Sequence, residues 1–276
     1  MMGLESQVRR YVCRRVYKPM DGGSTSPLLV QANDREKTVP IKLVMKLRHP
    51  PNGEGTSHVG STSLIAELVA SLLARAVGVM VPDFGVIELS EELAGVSAPE
   101  EPEIRVALKE SVGENFASAL IGQVEPWMDV TFGRRPSGGL KDNANAVLQF
   151  DASIWNADRG VDTTNLLVDG EDLYCIDHSM SFAVRDQATQ VACPPIQDGI
   201  VERHCTRPVL LRSGVSPDCL LKKWFDLPGQ VFDEVEQAVP TAWETTPGDN
   251  ARIVEFARRR RDVFAENRAK LVRVVS

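Results

Sequence analysis

The first hundred residues alternate between short apolar runs and clusters of small or polar residues, a pattern of strands separated by turns. Gln7–Lys18 reads as a strand, Asp21–Pro27 as a loop of small residues, Leu28–Ala32 as a second strand, Asn33–Lys37 as a turn and Val39–Leu47 as a third strand. His49–Gly60, rich in proline and glycine, reads as a loop. Leu64, Ile65, Leu68, Leu72 and Ala76 then recur at helical spacing, with Ser61, Thr62 and Ser63 offering N-cap hydroxyls and Gly78 ending the helix. Val81–Leu89 predicts a strand, acidic Glu91–Glu103 a surface loop, and Ile104–Val112 another strand.

From Pro126 onward the periodicity becomes helical. Leu140–Trp155 predicts a helix with Leu140, Ala144, Val147, Leu148 and Ile154 on or near one side. Leu166–Val168 and Leu173–Ile176 flank the turn Asp169–Asp172 and predict a hairpin. Asp249–Val274 predicts a long helix whose apolar face holds Ile253, Ala257, Phe264 and Leu271. The change from sheet to helix near residue 120 suggests two lobes, residues 1–120 and 121–276, with a cleft between them.

Composition narrows the function classes. The chain has 276 residues, 43% hydrophobic and 25% charged, with a net charge of −7. An acidic balance argues against a protein that coats nucleic acid. The run Arg258–Arg261 therefore reads as a solvated helix face. The five cysteines are odd in number with no C-x-x-C pair, so a reducing compartment, the cytoplasm, is the simpler reading than a disulfide framework. Met1–Arg15 holds no apolar run and is not read as a secretory signal. The apolar stretch Leu64–Val81 is interrupted by Glu67 and Arg75 and reads as too short and too charged for a membrane span.

The chemistry concentrates in Asn156–Leu167, which reads Asn-Ala-Asp-Arg-Gly-Val-Asp-Thr-Thr-Asn-Leu-Leu, followed ten residues later by Asp177 in Ile-Asp-His-Ser. Phosphoryl transfer needs a loop around the phosphates, a lysine to pair with them, hard oxygen ligands for a metal and a carboxylate to receive or orient the attacking hydroxyl. Asp158, on a loop after a helix, suits the last role. Asn165 and Asp177 bracket the hairpin and suit a shared magnesium ion. Asp and Asn are also common turn formers, so each alone is weak; their order and spacing together favour chemistry. His178 reads as a hydrogen-bonded structural residue, Asp151 as a brace for the loop, and Trp155 and Trp243 as core.

These motifs resemble those of the HipA-like kinases, a family distantly similar to phosphatidylinositol kinases. The resemblance continues in Val44-Met45-Lys46, in Glu67–Gly78 with Val81-Pro82, in Gly22–Val30, and in Leu227-Pro228 and Val239-Pro240 with Trp243. It implies a bilobal protein-kinase-like α+β fold, with a mostly antiparallel sheet and one helix in the N-terminal lobe and a mostly helical C-terminal lobe. It implies ATP and Mg2+ as cosubstrate and cofactor. Lys46 would pair with the α and β phosphates (Lys42, on the same strand face, lacks the matching context). Glu67 would pair with Lys46, and Val44 would touch adenine. Gly22, Gly23, Ser24, Thr25 and Ser26 would cradle phosphate. Asp158 would act as base, and Asp177 and Asn165 would hold metal, with Asp162 the alternative to Asn165 because the Asp158–Asn165 gap is longer than in protein kinases. The acceptor implied is a hydroxyl, on a protein serine or threonine or on this chain itself. A lipid headgroup fits less well, since no basic membrane-facing surface is evident, and a small-molecule acceptor or a pseudokinase acting as an interaction module are the other readings. Neither nucleic acid nor membrane is an expected partner.

Overall fold

The computed structural model describes residues 7–20, 26–35, 39–51, 57–96, 101–131, 136–194, 198–212 and 218–266 of a mixed α+β fold. Strands β1 (Arg9–Pro19), β2 (Leu28–Asp34), β3 (Pro40–Lys46), β4 (Phe84–Leu89) and β5 (Gly113–Ala119) close into a barrel in the order β1-β2-β3-β5-β4. The expected sheet is thus closed, which leaves no edge strand to template aggregation. Four pairings are antiparallel; β1 and β4 pair in parallel, from Arg9↔Gly85 to Val12↔Glu88. A parallel pair needs a long connection, and here the chain runs through β2, β3 and helix α1 (Ser57–Val77). A Cβ on Gly85 would lie 2.1 Å from the Arg9 carbonyl oxygen, so only glycine fits at that crossing. Alternate residues of β2 (Leu28, Val30, Ala32) join Leu43, Met45 and Ala117 in one apolar cluster inside the barrel.

Two expectations fail in this part. Ile104–Val112 is not a strand: α3 (Pro102–Glu110) occupies it, and α2 (Glu91–Val96) occupies the first half of the expected surface loop. Ile104, Val106 and Leu108 alternate like strand positions, but the buried set is Ile104, Ala107 and Leu108, at helical spacing, and Val106 is 54% exposed. Pro102 starts the helix, where its missing N–H costs nothing. The strand expected there is displaced to β5, and the described residues of the N-terminal part hold three helices where one was expected.

Helix α1 begins at Ser57, earlier than its spacing predicted, so Ser61, Thr62 and Ser63 are buried inside the helix rather than capping it. It approaches the end of β3 so closely that a Cβ on Gly60 would sit 2.3 Å from the Arg48 carbonyl oxygen. Gly78 takes φ +83°, which lets Val79 N–H reach back to the Ala74 carbonyl and end the helix. By length and composition Gly60–Val77 is apolar enough to cross a membrane, yet 89% of it is buried within the fold, as in the core helix of a protein. Its leucines join a second apolar cluster with Phe84 and Phe116 of the barrel and with the later helices.

Those later elements are β6 (Glu125–Pro126), α4 (Trp127–Thr131), α5 (Gly138–Ser153), the hairpin β7 (Leu166–Asp169) and β8 (Asp172–Cys175), α6 (Gln187–Ala192), α7 (Asp198–Arg203), α8 (Arg207–Leu211), α9 (Asp218–Phe225), α10 (Gly229–Ala238), a 3₁₀ turn at Thr241–Trp243 and α11 (Asp249–Glu266). Ile253 and Ala257 of α11 are fully buried; Leu271, expected on the same face, lies outside the described residues. The basic run on α11 is not a solvated face. Arg259 donates to the Gln190 and Val191 carbonyls, Arg260 to those of Ala152, Ser153 and Pro194, and Arg261 to that of Leu227. Arg258 pairs with Asp233 at 2.7 Å. Guanidinium stems and planar heads suit this use, because they cover apolar surface while satisfying chain-end carbonyls.

Candidate active site

A cavity of 790 Å³ runs between the barrel, α1 and the β7–β8 hairpin. Lys46 enters it from the end of β3. Its ammonium is hydrogen-bonded to the Glu67 carboxylate from the middle of α1 and lies 2.8 Å from Asp177 Oδ1. Burial opposes a charged Lys46, but Asp177 and Glu67 together outweigh it and raise its pKa. Asp177, though desolvated, is held well below the usual carboxylate range by Lys46 and by the Ser179 hydroxyl, which donates to Oδ1 at 2.6 Å. Glu67 is buried most deeply, and burial raises its carboxyl to about 7 against the pull of Lys46.

The Asp158 loop lines the same cavity. Asp158 is half-buried, and desolvation followed by the Asp177 charge raises its pKa. Thr163 Oγ1 donates to Asp158 Oδ1 at 3.3 Å, and Asn165 Nδ2 reaches the Asp158 carbonyl at 3.4 Å. Asn165 precedes β7 and Asp177 follows β8 by two residues; Ile176 N–H donates to the Asn165 carbonyl at 3.1 Å, closing the hairpin mouth between them. Asn165 and Asp177 both take left-handed φ, +48° and +56°. Non-glycine residues hold that region only where neighbours enforce it, and such strain gathers at functional sites.

Behind this loop lies a buried polar hub. Asp151 on α5 accepts from Arg159 Nε at 2.5 Å, from Asn156 Nδ2 at 2.9 Å and from His204 Nε2 at 2.9 Å. Arg159 Nη1 donates in turn to the carbonyls of Thr164, Asn165 and Ile176, at 3.3, 2.6 and 3.1 Å. One guanidinium therefore ties the catalytic-loop candidate to the backbone just before Asp177. His204 Nδ1 accepts from the Thr206 amide at 3.2 Å, so its proton sits on Nε2, facing Asp151, and the ring is neutral; burial lowers its pKa.

Of the residues expected at the site, Val44, Lys46, Glu67, Asp158, Asp162, Asn165 and Asp177 all line this cavity. Ser26 is described, with φ +44°, whereas Gly22, Gly23, Ser24 and Thr25 lie outside the described residues. His178, expected to be hydrogen-bonded, is buried with no partner for Nε2 among the described residues; burial drives its pKa down to about 3. The sequence pattern assigns no role to Arg159 or His204. Arg159 stands beside Asp158 in the same motif and was legible in principle; His204 carries no local signal, because its partner Asp151 is distant in the chain.

Asp177 and Asn165 supply a carboxylate and a carboxamide oxygen, the hard donors that magnesium accepts while keeping several waters. Among the described residues no three His, Cys, Asp or Glu side chains gather to form a self-sufficient metal site. A metal here would complete its shell with ligand oxygens and water.

Comparison with family models finds a match to the one described as HipA-like kinase, over residues 14–262. No curated protein matches the chain.

Proposed function

We propose, from the premise that this chain belongs to the HipA-like kinase family and is a kinase, that it transfers the terminal phosphoryl group of ATP to a hydroxyl. The observation that carries this reading is the ammonium of Lys46 held by Glu67 and Asp177 in the cavity that Asp158 also lines. Lys46 pairs with the α and β phosphates, and Glu67 fixes its direction. Apolar walls from Val44, Phe116, Leu167 and Ile176 receive the base. The residues from Gly22 to Ser26 complete the phosphate cradle.

In the proposed reaction the acceptor oxygen forms a bond to the γ phosphorus while the bond from that phosphorus to the β-bridging oxygen breaks, and ADP leaves. Asp158 orients the hydroxyl and takes its proton; its raised pKa suits a group that must accept one. Asp177 and Asn165 would hold Mg2+, which when bound neutralises phosphate charge. Asn165 is preferred over Asp162 because its backbone is tied to Ile176, next to Asp177, whereas Asp162 is exposed. Residues 1–120 and 121–276 act as two lobes around this cleft. The acceptor is a protein serine or threonine, this chain's own included, and the compartment is the cytoplasm.

The test is transfer of labelled phosphate from ATP in the presence of magnesium, comparing the native chain with Asp158→Ala on a cell-extract protein mixture. Labelling by the native chain alone supports the reading. Absence of nucleotide binding in a thermal-shift titration with Mg2+ and ATP would sink it.

A further inference from the structure

We propose that Arg185 is the residue that grips the terminal phosphoryl group of the nucleotide, at the Asp158 end of the cavity. The inference rests on the nucleotide reading above and adds a binding residue to it.

Two cationic side chains line the cavity among the described residues, Lys46 and Arg185; His178, also on the wall, is buried and neutral. Lys46 is already compensated twice, by Glu67 and Asp177. Arg185 is exposed and makes no hydrogen bond or ion pair with any described residue. A nucleotide's triphosphate brings several negative charges, and Asp158, Asp162 and Asp177 make the same walls acidic. Lys46 and one bound Mg2+ together do not balance that set, so an uncommitted guanidinium on the wall has an evident use.

Its location points to the terminal phosphate rather than the inner ones. Arg185 lines the same cavity as Asp158 and its neighbours Asp162 and Thr163, and its charge, like that of Arg159, favours an ionised Asp158. Arg159 is 2% exposed and committed to Asp151 and three carbonyls. Of these two cations only Arg185 is free to touch a ligand. The hydroxyl that Asp158 orients attacks the γ phosphorus, so a cation close to Asp158 is close to the phosphoryl group in flight. As the bond to ADP breaks and the acceptor bond forms, negative charge builds on the γ oxygens and the bridging oxygen, and a two-pronged donor there is stronger in the transition state than before it.

The backbone under Arg185 is fixed although its head is free. Phe182 and Ala183 are buried with φ of +60° and +50°. Phe182 N–H donates to the Ile154 carbonyl at 2.7 Å, and its own carbonyl accepts from buried Gln190 Nε2 at 2.8 Å. Asp186, the next residue, caps α6 by accepting from the Thr189 amide at 3.1 Å. A side chain launched from so constrained a stretch loses less freedom when it binds than one on a loose loop.

Calorimetric titration of the full chain with Mg·ADP and with Mg·ATP tests this, using the native protein, Arg185→Gln and Arg185→Lys. The native chain is expected to bind ATP more tightly than ADP. Arg185→Gln is expected to weaken ATP binding about tenfold while leaving ADP within about twofold, the scale of losing charge-assisted hydrogen bonds. Arg185→Lys keeps the charge without the fork and should fall between the two. Equal losses for both nucleotides, or none for either, overturn the assignment. Loss of phosphoryl transfer with the ATP preference intact also overturns it, and assigns Arg185 to an anionic acceptor instead. If the native chain binds neither nucleotide, this proposal fails together with the nucleotide reading.

Discussion

Lys46 Nζ stands 2.8 Å from Asp177 Oδ1 while the same ammonium bonds Glu67, so one buried cation joins the end of a barrel strand, the core helix α1 and the hairpin exit. Lys46→Met removes that junction and leaves two carboxylates facing each other. The expected outcome is a loss of phosphoryl transfer of at least about 10²-fold, the scale of removing one preorganised electrostatic contact. Initial rates with labelled ATP measure it; retained activity would show that Lys46 serves structure alone.

Asp158→Asn separates binding from chemistry. Nucleotide affinity should stay within a few-fold, because in the proposed reaction Asp158 meets the hydroxyl rather than the nucleotide, while kcat should drop by about 10²–10⁴-fold. Parallel calorimetry and rate measurements decide; equal loss of affinity and rate would remove Asp158 from the proton-transfer role.

The hub beneath the loop predicts a stability effect. Asp151→Ala leaves Arg159 buried with its charge uncompensated, at a cost of about 3–5 kcal/mol. Urea unfolding monitored by tryptophan fluorescence gives the value. A loss below about 1 kcal/mol would mean that the Asp151–Arg159 pair is not held in the geometry described.

Acid sensitivity follows from His204. Its folded pKa lies below the ordinary histidine value because it is buried neutral. The unfolded chain therefore takes up its proton first, near pH 6.5, and stability falls as pH drops from there toward the folded pKa. Above that window the contribution of His204 is constant. His204→Gln should flatten the slope of unfolding free energy between pH 6.5 and 5 by up to about 1.4 kcal/mol per pH unit, one proton's worth. An unchanged slope would assign the acid loss to other groups, such as His178.

Helix α3 can be checked against the strand its alternation suggested. Val106→Lys should change stability by no more than about 0.5 kcal/mol, since Val106 faces solvent. Leu108→Ala should cost about 2–5 kcal/mol. In a strand Val106 and Leu108 would share one face and respond together.

Local order was legible where the pattern had one meaning. The leucine spacing of α1, the turn Asp169–Asp172 between β7 and β8 and the Asp158–Asn165–Asp177 run each appear in the sequence as short-range signals. They fail where two periods fit the same residues: Ile104, Val106 and Leu108 satisfy a strand, while Ile104, Ala107 and Leu108 satisfy a helix, and packing against the barrel chose the second. Arg258–Arg261 failed differently. Charge predicts solvent, but nothing local shows that the carbonyls at the end of α5 and around α6 lie beneath α11, ready to accept.

The sequence by itself determined the family resemblance, the types of residue available for phosphoryl transfer and the elements that carry most of them. The tertiary structure alone decided that the sheet closes through a parallel β1–β4 pair, that Asp177 joins Glu67 on the Lys46 ammonium, and that Arg159 binds both sides of the hairpin mouth. The reason is physical. A residue pattern fixes backbone conformation and which face is apolar through neighbours a few positions away, whereas closure and ion pairing are settled by which distant surfaces bury one another.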